Sequence, residues 1–269
     1  MIPERLFKIL ESCQEEETSR FPATQVFNEG WMLRLILDAM QSLKIPNHEL
    51  QFLSEAKWYS EALLCSPFRP RLKPDPLGEG LTHADGVMGH FEFRPSTKSG
   101  LRLTPGGQFV VIEAKMFSNL SPGTTNAQAY NQAARNVACM AEAIARSGRP
   151  LSDFESVGFF VLAPHLEKRQ YASTNLETCM TPEAIRSTVN QRIEGYECQS
   201  RSEVSELREW QRNWFLPLLD RLVDEQSLAV LAWESLIEVI ADTDSGWGED
   251  LSRFYQSCLA YSPYDSHLV

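Results

Sequence analysis

A carboxylate and an ammonium group stand two residues apart at the end of a strongly apolar stretch of the chain. Residues 108–117 read QFVVIEAKMF, so Glu113 and Lys115 follow three β-branched residues that favour a strand. Side chains alternate along a strand, and both charged groups should therefore leave it by the same face. Two charges at the mouth of a buried strand cost desolvation free energy unless something compensates them. A divalent cation and a reactive water molecule would do so.

Two other acidic residues are expected near this pair. Asp85 lies in residues 84–93, which alternate enough to form a strand, and the Gly- and Pro-containing residues that follow turn the chain back. A hairpin between 84–93 and 108–117 would place Asp85 beside Glu113, since neighbouring strands lie about 5 Å apart. Glu29, at the start of the first long predicted helix, is the third candidate.

The chemistry of such a group is metal-assisted hydrolysis. Carboxylates without soft ligands suit Mg²⁺ or Mn²⁺, and without a cation the two acids would repel each other, so that one tends to take up a proton. A bound cation would polarise a phosphodiester and lower the pKa of a water molecule. Lys115 would orient or deprotonate that water, or stabilise charge in the transition state. The expected cofactor is therefore Mg²⁺ or Mn²⁺.

This motif resembles that of the PD-(D/E)xK nuclease superfamily. Asp85 precedes the Glu-Ala-Lys element at residues 113–115 by about 28 residues, and a predicted helix with Gln128 and Gln132 follows. The resemblance covers roughly residues 25–165. It implies an α/β fold with a restriction-endonuclease-like αβββαβ core and a mixed central sheet.

The resemblance also implies a role for each residue. Asp85 and Glu113 would hold the metal ion, and Glu29 occupies the place of a first-helix glutamate that often joins them. Lys115 would handle the water molecule, and Gln132 would be a supporting group in the catalytic site. A nuclease with a role in bacterial defence, restriction or repair is what the family suggests.

The match has one departure and one ambiguity. Ala84 stands where many members of the superfamily have proline, which lowers the specificity of the match. Gln128, Gln132 and Asn136 follow one another at intervals of four and resemble the glutamine-bearing helix of exonuclease-like branches. Tyr130 does not fall at the tyrosine position of that motif, so no branch is assigned.

Each element of the motif also has a purely structural interpretation. Glu113 and Lys115 would then form a surface ion pair at a strand end, and Asp85 would belong to an Asp-Gly turn. Glu29 would interact only with the helix dipole, and the polar positions of the following helix would form a solvated face.

Other catalytic motifs are weaker or absent. A metal site around His83 and His90 ranks lower, because isolated histidines are more often structural. The sequence has no GxSxG, GxxxxGK[ST] or GxGxxG pattern. Its six cysteines are scattered without any CxxC pair, which argues against zinc or iron–sulfur sites and predicts reduced thiols.

Composition predicts a folded, soluble protein. The chain has 269 residues, 43% of them hydrophobic, which is enough for a substantial core. The first residues are polar and acidic and lack the apolar centre of a signal peptide. No stretch approaches the roughly 18 apolar residues of a membrane span. A cytoplasmic location without a membrane partner is therefore expected.

Charge is distributed unevenly. Residues 1–150 carry 16 basic and 16 acidic residues, whereas residues 151–269 carry 9 and 20, which accounts for the net charge of −11. An acidic C-terminal third argues against phosphate binding there. Nucleic acid should therefore meet the first part, although the basic residues there are also consistent with ordinary solvated charges. The basic residues near the motif are Arg69, Arg71, Lys73, Arg94, Lys98 and Arg102, and the predicted substrate-binding residues are Gln128, Arg71, Lys73 and Arg102.

Local patterns predict the elements that position the site and the division of the chain. Residues 1–175 would form a nuclease-like α/β core with N-terminal helices, and residues 176–269 an acidic helical extension packed on it. Strands are expected over 59–66, 84–93, 108–117 and 155–164. Helices are expected over 3–18, 27–43 (capped by Asn28), 126–147 (capped by Asn126), 182–196, 203–225, 227–241 and 249–260, and residues 48–57 lean towards helix.

The leading hypothesis is a Mg²⁺-dependent nuclease acting on DNA through an Asp…Glu-x-Lys site, and a homodimer would suit cleavage of both strands. The alternative is a catalytically inactive binding or scaffold subunit of the same fold whose acidic helical region docks a basic partner. The net charge of −11 favours this alternative, because it repels a polyanion. A third hypothesis is a metal-dependent hydrolase of a small phosphorylated molecule.

Overall fold

The computed structural model of the chain describes residues 21–93, 100–169 and 175–262, together with residues 5, 9, 10 and 12. The helix predicted over 3–18 falls almost entirely outside these residues, and so do Arg94 and Lys98 of the predicted basic group. In the described part of the chain, no helix is both long and apolar enough to cross a membrane.

A mixed five-stranded sheet forms the centre of the fold, as the α/β prediction requires. The strands are β1 (Lys57–Leu64), β2 (Thr82–Gly89), β3 (Phe91–Phe93), β4 (Leu101–Leu103), β5 (Gln108–Ala114), β6 (Ser156–Ala163) and β7 (Leu228–Ala232). The sheet order is β1-β2-β5-β6-β7, with the first three strands antiparallel and the last two joined in parallel. The strands β3 and β4 form a separate hairpin.

Helices cover both faces of the sheet. They are α1 (Glu29–Leu43), α2 (Gln132–Ser147), α3 (Leu166–Arg169), α4 (Leu176–Cys179), α5 (Pro182–Cys198), α6 (Val204–Trp210), α7 (Leu216–Asp224), α8 (Trp233–Thr243) and α9 (Ser245–Tyr261), with a π-helical turn at Gln211–Phe215 and 3₁₀ turns at Ala23–Gln25 and Leu151–Asp153. One core lies between the sheet and α2, α5 and α7. The second core lies between the opposite face and α1, α8 and α9.

The central strand β5 is buried along its whole length, which agrees with its continuous apolar sequence. Phe109 and Val111 belong to the core under α2. Val110 and Ile112 belong to the core under α1. Because side chains alternate along a strand, Glu113 continues the α2 face.

The starts of the two long helices are set by asparagine caps. Asn28 caps α1, because its side chain accepts a hydrogen bond from the backbone N–H of Trp31 (3.1 Å), which confirms the predicted cap. The helix α2 begins later than predicted, since Asn131 caps it by accepting from Ala134 N (3.0 Å). Asn126, the predicted cap, donates instead to the carbonyl of Gly78 (2.8 Å).

The C-terminal third is less helical than predicted. Residues 228–232 form β7, so the helix predicted over 227–241 is wrong in its first part and begins only at Trp233. A short apolar run such as LAVLA fits either a helix or a strand, and pairing with β6 decides between them. The helix predicted over 203–225 is interrupted by the π-helical turn before Pro217, which lacks the N–H of a regular helix. Residues 48–56 form turns and irregular backbone rather than a helix.

Residues of the C-terminal third hydrogen-bond to the loop of residues 67–81 and fix its position. Arg201 donates to both carboxylate oxygens of Asp75 (2.9 and 3.1 Å), and this bonding holds the pKa of Asp75 well below its ordinary value. The hydroxyl of Tyr196, on α5, donates to the carbonyl of Leu77 (2.7 Å). Residues 176–262 therefore contribute the strand β7 to the sheet and the hydrogen bonds that fix the loop of residues 67–81.

We expect Gly89→Ala to destabilise the protein, because Gly89 ends β2 with φ +133° and a Cβ there would lie 2.6 Å from the carbonyl carbon of Gln108. Chemical denaturation should show a loss of at least about 2 kcal/mol in the free energy of unfolding. Gly195→Ala is the matched control, since nothing lies within 4 Å of its Cβ position inside α5. The control should gain roughly 0.5–1 kcal/mol. Equal effects of the two changes would contradict this account of Gly89.

Candidate active site

The strands β2 and β5 end their pairing where two of the predicted acids meet. The last paired residues are Gly86 and Ile112. Just beyond them, the backbone N–H of Ala114 donates to Oδ2 of Asp85 (2.8 Å). This bond fixes the Asp85 carboxylate beside Glu113, close enough for the two side chains to hydrogen-bond when one carries a proton. The predicted convergence of these two acids is confirmed.

The carboxylate of Glu113 is fully buried and is surrounded by donors. Its Oε1 accepts hydrogen bonds from Lys115 Nζ (2.8 Å) and from the side-chain amide of Gln132. Its Oε2 accepts from Nδ2 of Asn136 (3.1 Å). The Lys115 side chain leaves β5 on the same face as Glu113, as the alternation of the strand predicts.

The first turns of α2 supply both amides. Gln132 and Asn136 lie four residues apart, one turn of helix, and so present their side chains to the same strand. The Gln132 carbonyl oxygen also accepts from the backbone N–H of Ser121 (3.1 Å), which orients its amide towards Glu113. Asn136 is fully buried, and its Oδ1 has no hydrogen-bond partner in the described part of the chain.

The pKa values of Glu113 and Lys115 are both raised, but for different reasons. Burial, together with repulsion from Asp85, raises the pKa of Glu113 to about 8 against the attraction of Lys115. Burial acts to lower the pKa of Lys115, but Glu113, Asp85 and Glu29 outweigh it and raise that pKa above its ordinary value. The ammonium group keeps its charge.

The backbone of Lys115 is anchored on two sides. Its N–H donates to the carbonyl of Leu162 on β6 (2.8 Å). Its carbonyl accepts from the indole Nε1 of Trp233 (3.0 Å), a fully buried residue that opens α8. The position of Lys115 thus depends on elements well beyond its own strand.

These groups open into a cleft of about 470 Å³. Asp85 on β2 and the end of β5 form its floor, and residues 78–83, residues 124–126 and the start of α2 form its walls. Asp85, Glu113, Lys115, Gln132 and Arg135 all contribute to the lining. The candidate site is therefore open to a ligand although its central carboxylate is buried.

Two carboxylates are the ligands that this site offers to a metal ion. No group of three or more His, Cys, Asp or Glu side chains is placed to hold a metal ion within the described residues, so Glu29 does not complete a three-acid set. Glu29 is near enough to raise the pKa of Lys115. Mg²⁺ usually keeps several water ligands and is often held by one or two carboxylates, so Asp85 and Glu113 fit such an ion.

The four predicted substrate-binding residues lie outside the lining of the cleft. Gln128 lies before α2, since the helix starts at residue 132. Its side chain is exposed and lines a hollow beside α5. Arg71 is drawn to α6, where it forms an ion pair with Glu206 (2.6 Å). Arg102 lines a different hollow under the β3–β4 hairpin, and Lys73 is exposed on its loop.

Two cleft residues were not predicted as site residues. Arg135 follows Gln132 by three positions and therefore shares its side of α2, a spacing that could have indicated it. Glu79 is 7% exposed, accepts from the Ser66 hydroxyl (3.1 Å) and lies 3.7 Å from Nε of Arg192. No sequence pattern distinguishes Glu79 from a solvated loop acid.

The wall behind Glu79 is a buried aromatic cage. The Arg192 guanidinium lies over the rings of Phe68, Tyr196 and Tyr130 at 5.1, 5.3 and 5.9 Å. Burial raises the pKa of Glu79, and the charge of Arg192 opposes that rise. Because Arg192 also donates to the carbonyl of Leu77, α5 fixes this side of the cleft.

We expect Glu113 to make the metal-free protein less stable as the pH rises. Its pKa is about 8 in the folded protein and near 4.5 when unfolded, so its stabilising contribution is complete below about pH 4.5 and is lost as the pH passes 8. Relative to Glu113→Gln, the parent should lose on the order of 2 kcal/mol or more of unfolding free energy between pH 5 and pH 8.5. Denaturant titrations in EDTA at each pH measure the unfolding free energy of both proteins. If that free energy changed with pH equally in the parent and in Glu113→Gln, the prediction would be contradicted.

Comparison with known proteins gives no relative from which to assign this site. No family model matches the chain, and no match was found among curated proteins or among solved structures.

Proposed function

We propose that this protein is a Mg²⁺- or Mn²⁺-dependent nuclease that hydrolyses phosphodiester bonds, with DNA as the favoured substrate. One observation carries the proposal: Asp85 on β2 meets Glu113 and Lys115, at the end of β5, on the floor of an open cleft. A buried carboxylate beside a second acid costs free energy in the absence of a cation. Binding of a divalent ion would account for that arrangement.

Each residue of the chain has a defined part in this proposal. When bound, the cation would supply Lewis-acid activation of the phosphodiester and of a water molecule. Asp85 and Glu113 would hold the ion, and Gln132 and Asn136 keep the Glu113 carboxylate in one orientation. Because its pKa is raised, Lys115 is better suited to stabilising charge on the phosphate, or to orienting the water, than to removing a proton.

The order of elements supports a restriction-endonuclease-like core. The sequence α1, β1, β2, β5, α2, β6 is helix, three strands, helix, strand, with the β3–β4 hairpin inserted between the second and third strands. The acids lie on those second and third strands, where the resemblance to the PD-(D/E)xK superfamily puts them.

We expect purified protein with Mg²⁺ or Mn²⁺ to cleave DNA, and EDTA to abolish the cleavage. Glu113→Ala and Lys115→Ala should each lower the rate by about 100-fold or more, because one removes a metal ligand and the other a charge facing the phosphate. Gel assays on linear, circular and single-stranded DNA and on RNA measure the rates. Glu238→Ala, which removes an exposed carboxylate on α8, is the control and should cleave like the parent.

Two outcomes would contradict the nuclease. One is the absence of cleavage across the whole panel with either metal ion. The other is cleavage by Glu113→Ala and Lys115→Ala at the rate of the parent. Cleavage of a chromogenic phosphodiester without any cleavage of polymer would instead favour a hydrolase of small phosphorylated molecules.

The scaffold function is the second candidate. The complete hydrogen bonding of the Glu113 carboxylate favours it. Both oxygens of that carboxylate are already hydrogen-bonded without a cation. Calorimetric titration with Mn²⁺ discriminates between the two candidates. Heat of binding that disappears in Asp85→Ala supports the nuclease, whereas no binding supports the scaffold. Not every carboxylate of the acidic helices is free to contact a partner. Glu206 on α6, for example, already forms an ion pair with Arg71.

A further inference from the structure

Arg135 lies in the cleft with the candidate catalytic residues. It is on α2, three residues after Gln132, and it lines the same cleft as Asp85 and Glu113. Its side chain is half-buried, so its motion is restricted while one side remains open to a ligand. Glu79 in the wall of the cleft is close enough to feel the charge of Arg135: burial raises the pKa of Glu79, and the charges of Arg192 and Arg135 oppose that rise.

The guanidinium of Arg135 is uncommitted, unlike that of most arginines in the described residues. Most other arginines of the described residues form ion pairs within 4.0 Å, as Arg71, Arg192 and Arg201 do. No ion pair within that distance and no side-chain hydrogen bond of Arg135 occurs within residues 21–93, 100–169 and 175–262. Its charge is left to interact with a ligand.

The other basic residues of the cleft have acidic neighbours. Lys115 donates to Glu113 at 2.8 Å. His83 is largely exposed and lies 4.0 Å from Glu61 on the neighbouring strand. An anion entering the cleft would therefore meet Arg135, which has no ion-pair partner among the described residues.

We propose that Arg135 binds a phosphate group of the substrate. The planar guanidinium offers two parallel N–H donors that match two phosphate oxygens, which a lysine cannot reproduce. Its place in the same cleft as Asp85 and Glu113 would hold the phosphate near the site of hydrolysis. The assignment of that phosphate to a nucleic-acid backbone rests on the proposed nuclease function, but phosphate binding itself does not.

Binding is measured separately from cleavage by working in EDTA. A fluorescein-labelled 20-base-pair DNA is titrated with the parent, Arg135→Gln, Arg135→Lys and Arg212→Gln, and anisotropy gives the affinity. Arg212 is the matched control, because it is an exposed arginine of the π-helical turn, outside the cleft. We expect Arg135→Gln to bind about tenfold or more weakly than the parent and Arg135→Lys to fall between them. The dependence of affinity on salt should lose about one unit of slope.

A second measurement follows the side chain itself. ¹⁵N-labelled protein is titrated with inorganic phosphate, and the Nε–H resonance that disappears in Arg135→Lys identifies Arg135. A saturable shift of that resonance supports phosphate binding. If phosphate shifts the resonance while DNA affinity is unchanged in Arg135→Gln, the bound group belongs to a small molecule. Thermal unfolding of each variant checks that a loss of binding is not a loss of fold.

Three results would overturn the assignment of Arg135. The first is an affinity of Arg135→Gln within twofold of both the parent and Arg212→Gln, with no phosphate-induced shift. The second is a parent protein that binds neither DNA nor inorganic phosphate. The third is unfolding of Arg135→Gln together with full binding by a folded Arg135→Ala. If binding depends on Arg135 but no Mg²⁺-dependent cleavage is seen, the proposed nuclease function is contradicted. The proposed phosphate site is then still supported.

Discussion

The structure depends on keeping one fully buried carboxylate in the middle of an α/β sandwich. Glu113 sits at the end of a strand that is buried on both faces, where an unpaired charge is strongly unfavourable. Two amides from α2 and the Lys115 ammonium therefore have to converge on it. The start of α2 and the end of β5 meet at this carboxylate, on the floor of the open cleft.

The C-terminal third completes this arrangement rather than lying beside it. Trp233 holds the carbonyl of Lys115, and Arg192 with its aromatic cage fixes the wall that contains Glu79. Several acidic residues of the chain are used internally, such as Asp75 with Arg201. A net charge of −11 is thus a poor guide to the potential inside the cleft, where arginine and lysine stand among the acids.

Much of the floor of the site was predictable because it depends on local pattern. Strand alternation placed Glu113 and Lys115 on one face, and a short-range hairpin brought Asp85 to them. Gln128 was misplaced, because a turn at residues 124–127 and the cap at Asn131 delay the helix. The strand β7 was read as helix, since only its long-range pairing with β6 selects the extended conformation. Arg135 was not predicted, because only the folded cleft places it in one lining with Asp85 and Glu113.

The late position of β7 in the chain has a consequence for biosynthesis. A nascent polypeptide that has just completed β6 exposes one edge of that apolar strand, because its parallel partner is encoded some 65 residues later. At about 5–20 residues per second, translation leaves this edge uncovered for several seconds. Unpaired apolar edges invite pairing with other chains. The edge of β6 therefore stays open to such pairing until β7 emerges and covers it.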